Sequence, residues 1–128
     1  LAQVQMQQPV ETYGRGSRIY DRASLEEIDG EVLSVNKINS RRGGGYGMHL
    51  LLKTAEETVE VHLGPEWYLE EQDFSVEPGD RVEIKGSRIT FSGMPAIVAA
   101  EVKQADRVLT LRDTNGIPLW SRRQQQSN

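Results

Sequence analysis

Two short runs constrain the fold of this chain more than any other feature. In the first, Met48, Leu50 and Leu52 alternate with His49, Leu51 and Lys53. In the second, Val59, Val61 and Leu63 alternate with Glu60 and His62. A period of two marks a strand with one buried face. Ala55 and Glu56 lie between the runs, so the two should form an antiparallel hairpin. With Ala55-Glu56 as a two-residue turn, Leu52 pairs with Val59, Leu50 with Val61 and Met48 with Leu63. That register gathers the apolar residues on one face, and a slip of one residue would expose them. It also sets His49 directly opposite His62 on the other face.

Similar patterns continue on both sides. Glu31 to Asn39 carries Val32, Leu33, Val35 and Ile38, a long strand whose phase slip predicts a bulge. Gly30 stands at its start, where a sharp bend tolerates a missing side chain. Ser40 to Gly45 is a loop by composition. Gly64-Pro65-Glu66 opens a short helix, with proline at its first position and an acid complementing its dipole. Trp67, Tyr68, Leu69 and Phe74 give that helix a face to bury, closing the bottom of a barrel. Pro78-Gly79-Asp80 turns the chain. Strands are expected at Arg81 to Lys85, at Ile89 to Phe91 before a Ser92-Gly93 turn, at Ala96 to Val102, and at Val108 to Leu111. An Asn115-Gly116 turn then leads to Ile117, Leu119 and Trp120. Trp120 is placed to cap the core or to meet a neighbouring subunit.

Long bent strand, hairpin, short helix, further strands: this is the order of a five-stranded Greek-key OB barrel, with the helix between strands three and four. The expected fold is therefore all-β with one short helix, extended by a C-terminal strand or hairpin. Another small barrel or an open sandwich is the alternative. Residues 19–120 form the expected domain. Residues 1–18, rich in Gln and Gly, are an expected flexible leader, and 121–128 an expected flexible tail. The chain opens on Leu1 rather than Met, the appearance of a product cut after a secretory signal and equally of a trimmed one.

Composition narrows the function classes. With 15 basic and 19 acidic residues the net charge is -4, which does not suit a generic polyanion binder. The absence of cysteine excludes a disulfide framework, a thiolate zinc site and thiol catalysis. Charge is also uneven: Glu56 to Glu83 holds ten acids and one base. Such polarity steers partners or simply keeps a face solvated.

Several segments resemble small secreted bacterial OB-fold proteins, in particular the magnetosome-associated MamS/MamX-type domain. They are Tyr20-Asp21-Arg22-Ala23-Ser24 before Gly30-Glu31-Val32; Val59 to Trp67; Pro78-Gly79-Asp80-Arg81-Val82; and Leu111-Arg112-Asp113 with Gly116-Ile117-Pro118-Leu119-Trp120. The resemblance spans Tyr20 to Trp120 and rests on turn and core positions. It implies an exported, periplasmic or secreted, non-catalytic module. The Cys-x-x-Cys-His haem motif of the haem-carrying members is missing, so covalent haem attachment of that kind is ruled out.

Two candidate sites emerge. The loop Ser40-Arg41-Arg42-Gly43-Gly44-Gly45-Tyr46 joins strands one and two, beside the usual OB ligand face. Arg41 and Arg42 offer bidentate donors for carboxylate or phosphate, and Tyr46 a stacking surface. Lys53 and Arg88 are candidate contributors on the adjoining face. The expected ligand is a protein or a small anion. Single-stranded nucleic acid is the alternative, weakened by Glu60 on strand three and by the lack of outward aromatics. The plainer account is a flexible loop kept soluble by its arginines. The second site is the pair His49 and His62, at cross-strand spacing able to share Cu(II), Ni(II) or Zn(II), with Glu60 and Glu66 as completing ligands. Its plainer account is a polar pair on a barrel wall. No motif for a catalytic nucleophile or metalloprotease is present, so no enzyme and no resident cofactor are expected.

Overall fold

The computed structural model describes residues 20–39 and 45–121. The expected leader, the Arg41/Arg42 loop and the tail beyond Ser121 lie outside the described residues. Six strands and a helix follow in the order β1 (Leu25–Asn39), β2 (Tyr46–Lys53), β3 (Thr58–Pro65), α1 (Glu66–Glu71), β4 (Arg81–Phe91), β5 (Met94–Gln104) and β6 (Arg107–Thr110). The sheet runs β3-β2-β1-β4-β5-β6 and closes through β3 and β5. That closure is parallel, with Glu60 to His62 alongside Ala96 to Val98. It makes the five-stranded Greek-key OB barrel that the element order implies, with β6 as an extra strand on β5.

The barrel depends on the bend of β1. Its first half, Leu25 to Glu31, pairs with β4, and its second, Glu31 to Asn39, pairs with β2. Gly30 sits at the crossover, so close to β2 that a Cβ there would stand 2.1 Å from the Lys53 carbonyl oxygen. The expected phase slip is a bulge between Val32 and Ser34. β1 nevertheless starts earlier than Gly30. Before the bend, alternate positions 26, 28 and 30 are Glu, Ile and Gly, so apolar alternation is hidden there although the ladder continues.

The hairpin register holds from Leu52–Val59 to His49–His62 and then changes. A bulge sets Met48 against Gly64 instead of Leu63. The turn is steadied by Thr54, whose N–H donates to the Glu57 carbonyl and whose Oγ1 accepts from Glu56 and Glu57 amides. Leu50, Leu52, Val59, Val61 and Leu63 are buried together with Val32, Val82, Ile84, Ile97, Val102 and Leu111. Pro65 lies just outside α1 as its N-cap rather than at the first helical position. Tyr68, Leu69 and Phe74 enter the core, while Trp67 is half-buried.

The segments 81–85 and 89–91 are one strand, not two. A bulge between Lys85 and Gly86 keeps the pairing with β5 continuous. A Cβ at Gly86 would lie 2.3 Å from the Val98 carbonyl oxygen, so glycine permits the contact. The bulge reverses the strand's phase. Val82 and Ile84 face the barrel core, whereas Ile89 joins Ala96 and Val98 in a second cluster against Tyr20 and Phe91. Ser92 and Gly93, both with positive φ, turn β4 into β5 as expected. After β6, Arg112 and Pro118 form an isolated bridge rather than a hairpin strand, and 119–121 close in a helical turn that includes Ser121. Trp120 caps the core, its ring against Gly64 and 5.4 Å from that of Tyr68.

This packing sets an order of sensitivities. Leu50→Ala should lower unfolding free energy by about 2–5 kcal/mol and Gly30→Ala by about 1–3 kcal/mol. Leu51→Ala, on the outer face, should cost about 1 kcal/mol. Urea unfolding of the three variants checks the order, and equal losses at Leu50 and Leu51 would contradict the register.

Candidate functional site

The outer faces of β2 and β3 lie between two loops, one joining β1 to β2 and one joining β4 to β5. In OB barrels this face and these loops take ligands. Its centre is built by register alone. His49 stands opposite His62, and Leu51 opposite Glu60. Glu60 and His62 are two apart on one strand and so share the face.

Glu60 reaches between the two rings. Its Oε2 lies 3.3 Å from His49 Nδ1 and its Oε1 3.2 Å from His62 Nε2. The imidazoles stack at 3.8 Å between centroids, 7° from parallel. Phe91, delivered by the end of β4, sets its ring edge-on to both, at 4.7 Å from His62 and 6.1 Å from His49. His62 is 4% exposed, which makes it a buried residue of the wall. One nitrogen of each His and a Glu60 oxygen lie within 4.8 Å of one another. Of the two acids expected to complete this cluster, Glu60 does so. Glu66 instead pairs with Lys37 Nζ at 2.9 Å, at the start of α1.

Burial governs the protonation of this group. It pushes His62 down to about 4, helped by the charge of His49 and the field of Arg112 and opposed by Glu60. Burial also lowers His49 against the pull of Glu60. Burial would raise Glu60, but hydrogen bonds from the rings outweigh it and hold the carboxyl below its usual range. At neutral pH the cluster is therefore one carboxylate between two neutral rings.

The loop-side candidates separate. Tyr46 is 43% exposed at the start of β2, with Lys37 Nζ 5.4 Å from its ring centroid. Ile38, opposite Gly47, is 42% exposed on the other face of the same strand pair. Lys53 is exposed but lies at the other end of β2, roughly 23 Å away at about 3.3 Å per residue. Arg88 is clasped by two acids, its Nε 2.8 Å from Glu26 and an Nη 2.7 Å from Glu57. The structure thus does not bring Lys53 or Arg88 to the loop end. Arg41 and Arg42 lie outside the described residues. Phe91 and Arg112 were not legible as members of the face. Phe91 arrives through the β4 bulge, and Arg112 from the C-terminal segment, where it lies 5.0 Å from the Tyr20 ring and 5.6 Å from the Trp120 ring.

Residues 24–109 match the MamS/MamX magnetosome protein family. The chain belongs to that family. The match takes in β1 to β5 whole and β6 as far as Leu109, and so the whole barrel. No curated protein matches the chain. Among solved structures it is similar to a chain of the S. pombe Stn1–Ten1 complex, at 17% identity and a TM-score of 0.46. That similarity covers 79% of this chain and 66% of the other.

The lowered His62 value fixes a pH dependence. The unfolded ring takes up its proton near pH 6.5 and the folded ring only near 4, so the unfolded state binds more protons between these values. Stability is full above about pH 6.5 and falls as pH drops towards 4, by about 3 kcal/mol for a shift of that size. His49 acts in the same direction. Urea unfolding between pH 7.5 and 4.5 checks this, and His62→Gln should flatten the profile.

Proposed function

We propose that this protein is a non-catalytic, exported binding module that recognises a carboxylate-bearing segment of a protein partner through the β1–β2 loop end. The observation that carries this reading is Tyr46: an exposed ring with Lys37 across it, at the root of the Arg41/Arg42 loop. Aromatic and Arg side chains are the usual anchors of protein recognition. Arg41 and Arg42 add planar donors matched to carboxylates. A small anion of the same chemistry would use the same donors. Single-stranded nucleic acid is disfavoured, because a strand lying along the face would meet the Glu60 carboxylate and Phe91 is engaged with His62.

The test uses fluorescence-labelled Asp/Glu-rich peptides and a random single-stranded DNA of similar length. The peptides should bind with a shallow salt dependence. Arg41→Ala/Arg42→Ala should weaken them about tenfold or more, and Tyr46→Ala should do so with the fold intact. Tight binding of the DNA at physiological salt, with a steep log-linear salt dependence, would replace this reading by the nucleic-acid one. Export is checked separately by fractionating cells that express the native gene.

A further inference from the structure

We propose that the outer face of the β2–β3 hairpin is a binding site for a borderline divalent transition-metal ion, Cu(II), Ni(II) or Zn(II), held by His49 Nδ1, His62 Nε2 and the Glu60 carboxylate. This site is independent of the loop-end reading and uses none of its residues.

The donor set comes first. Two imidazoles and a carboxylate, without thiolate, suit borderline divalent ions. The spacing comes second. Bonds of about 2.0–2.2 Å to a tetrahedral ion place donors roughly 3.3–3.6 Å apart. The observed nitrogen–oxygen separations are 3.2 and 3.3 Å, and the three donor atoms lie within 4.8 Å of one another. The scaffold comes third. All three residues stand on paired strands whose register is fixed by the buried Leu50, Leu52, Val59 and Val61 on the other side. The Cβ positions are therefore set before any ion arrives.

Without an ion, each neutral ring presents its N–H to the Glu60 carboxylate. An ion needs the lone pair at those same nitrogens, so each proton must stand on the ring's other nitrogen, Nε2 of His49 and Nδ1 of His62. Binding is thus a paired tautomer change as well as a coordination event. The rings must also turn about χ2, since an ion cannot lie in the planes of two rings stacked 3.8 Å apart and nearly parallel. Phe91 bounds one side of that movement. Glu60, whose side chain is 38% exposed, marks the approach from solvent. Three protein donors leave a coordination position for water or a partner's donor. The field of Arg112 at His62 opposes a cation and moderates affinity.

The experiment uses the full chain, stripped with a chelator and titrated calorimetrically with each ion alone. One ion should bind per chain at micromolar concentration or below. Glu60→Gln, close in shape to the natural residue, should weaken binding about tenfold or more. His49→Ala should abolish it. Long-range ¹H–¹⁵N spectra should show the proton on His49 Nδ1 and His62 Nε2 without Zn(II), and on the opposite nitrogens with it. Amide spectra establish that each variant is folded. Should His49→Ala fail to fold, Glu60→Gln and the ring spectra decide. No uptake at about 100 µM of any of the three ions would overturn the proposal. Uptake unchanged by Glu60→Gln, with ring nitrogens unmoved, would also overturn it and place the ion elsewhere.

Discussion

The approach of Gly30 to the Lys53 carbonyl is the contact on which the barrel rests. One strand has to serve two neighbours, β4 before the bend and β2 after it, and a side chain at the crossover would hold β2 away. Once β1 bends there, β2 and β3 are carried round far enough for β3 to meet β5 in parallel. That meeting brings the β4–β5 arm over the outer face of the hairpin. Phe91 can then touch His62, and a wall position becomes a buried one. A backbone contact on one side of the barrel thus determines the protonation of an imidazole on another.

The hairpin has two faces with different chemistry. Inward it is aliphatic and closely packed. Outward it holds a carboxylate between two neutral rings, an arrangement that favours a cation. The loop end carries the opposite preference, with Lys37 beside Tyr46 and two arginines following in sequence. The two preferences are kept apart because Lys37 is turned to Glu66 at the start of α1, on the inner phase of the hairpin. Arg88, in contrast, is taken up entirely in holding Glu26 of β1 to Glu57 of the β2–β3 turn. Its role is to tie the start of β1 and the β4 strand to the β2–β3 turn.

Much of this was legible in the sequence wherever apolar residues alternate without interruption. The hairpin, its histidine pair and the order of elements all follow from period two. What could not be read lies where glycine or a bulge breaks the alternation. Leu25 to Asp29 belongs to β1, yet Glu26 and Gly30 occupy positions where an apolar residue would signal a strand. Gly86-Ser87 looks like a break between strands and is a bulge inside one. That bulge reverses which residues face inward, and so hides that Phe91 lies over the histidines. The same limit applies to Met48, displaced by a bulge next to Gly64. Long-range ion pairs such as that of Arg88 with Glu26 and Glu57 have no local signature at all, so a basic residue on a strand looked available when it was committed.

The edge of β5 is divided between two partners. β3 takes residues 96–98 and β6 takes 101–104. Arg107, at the start of β6, donates to the Gln72 and Asp73 carbonyls at the end of α1 and so pins the small strand against the helix. β6 therefore acts as a guard. A chain cut after Gln104 would still contain all five strands of the barrel, but it would present a fresh row of backbone donors and acceptors along β5. Such an edge is an invitation to another chain. The short sixth strand covers that stretch of β5 and leaves only four residues of open edge in its place.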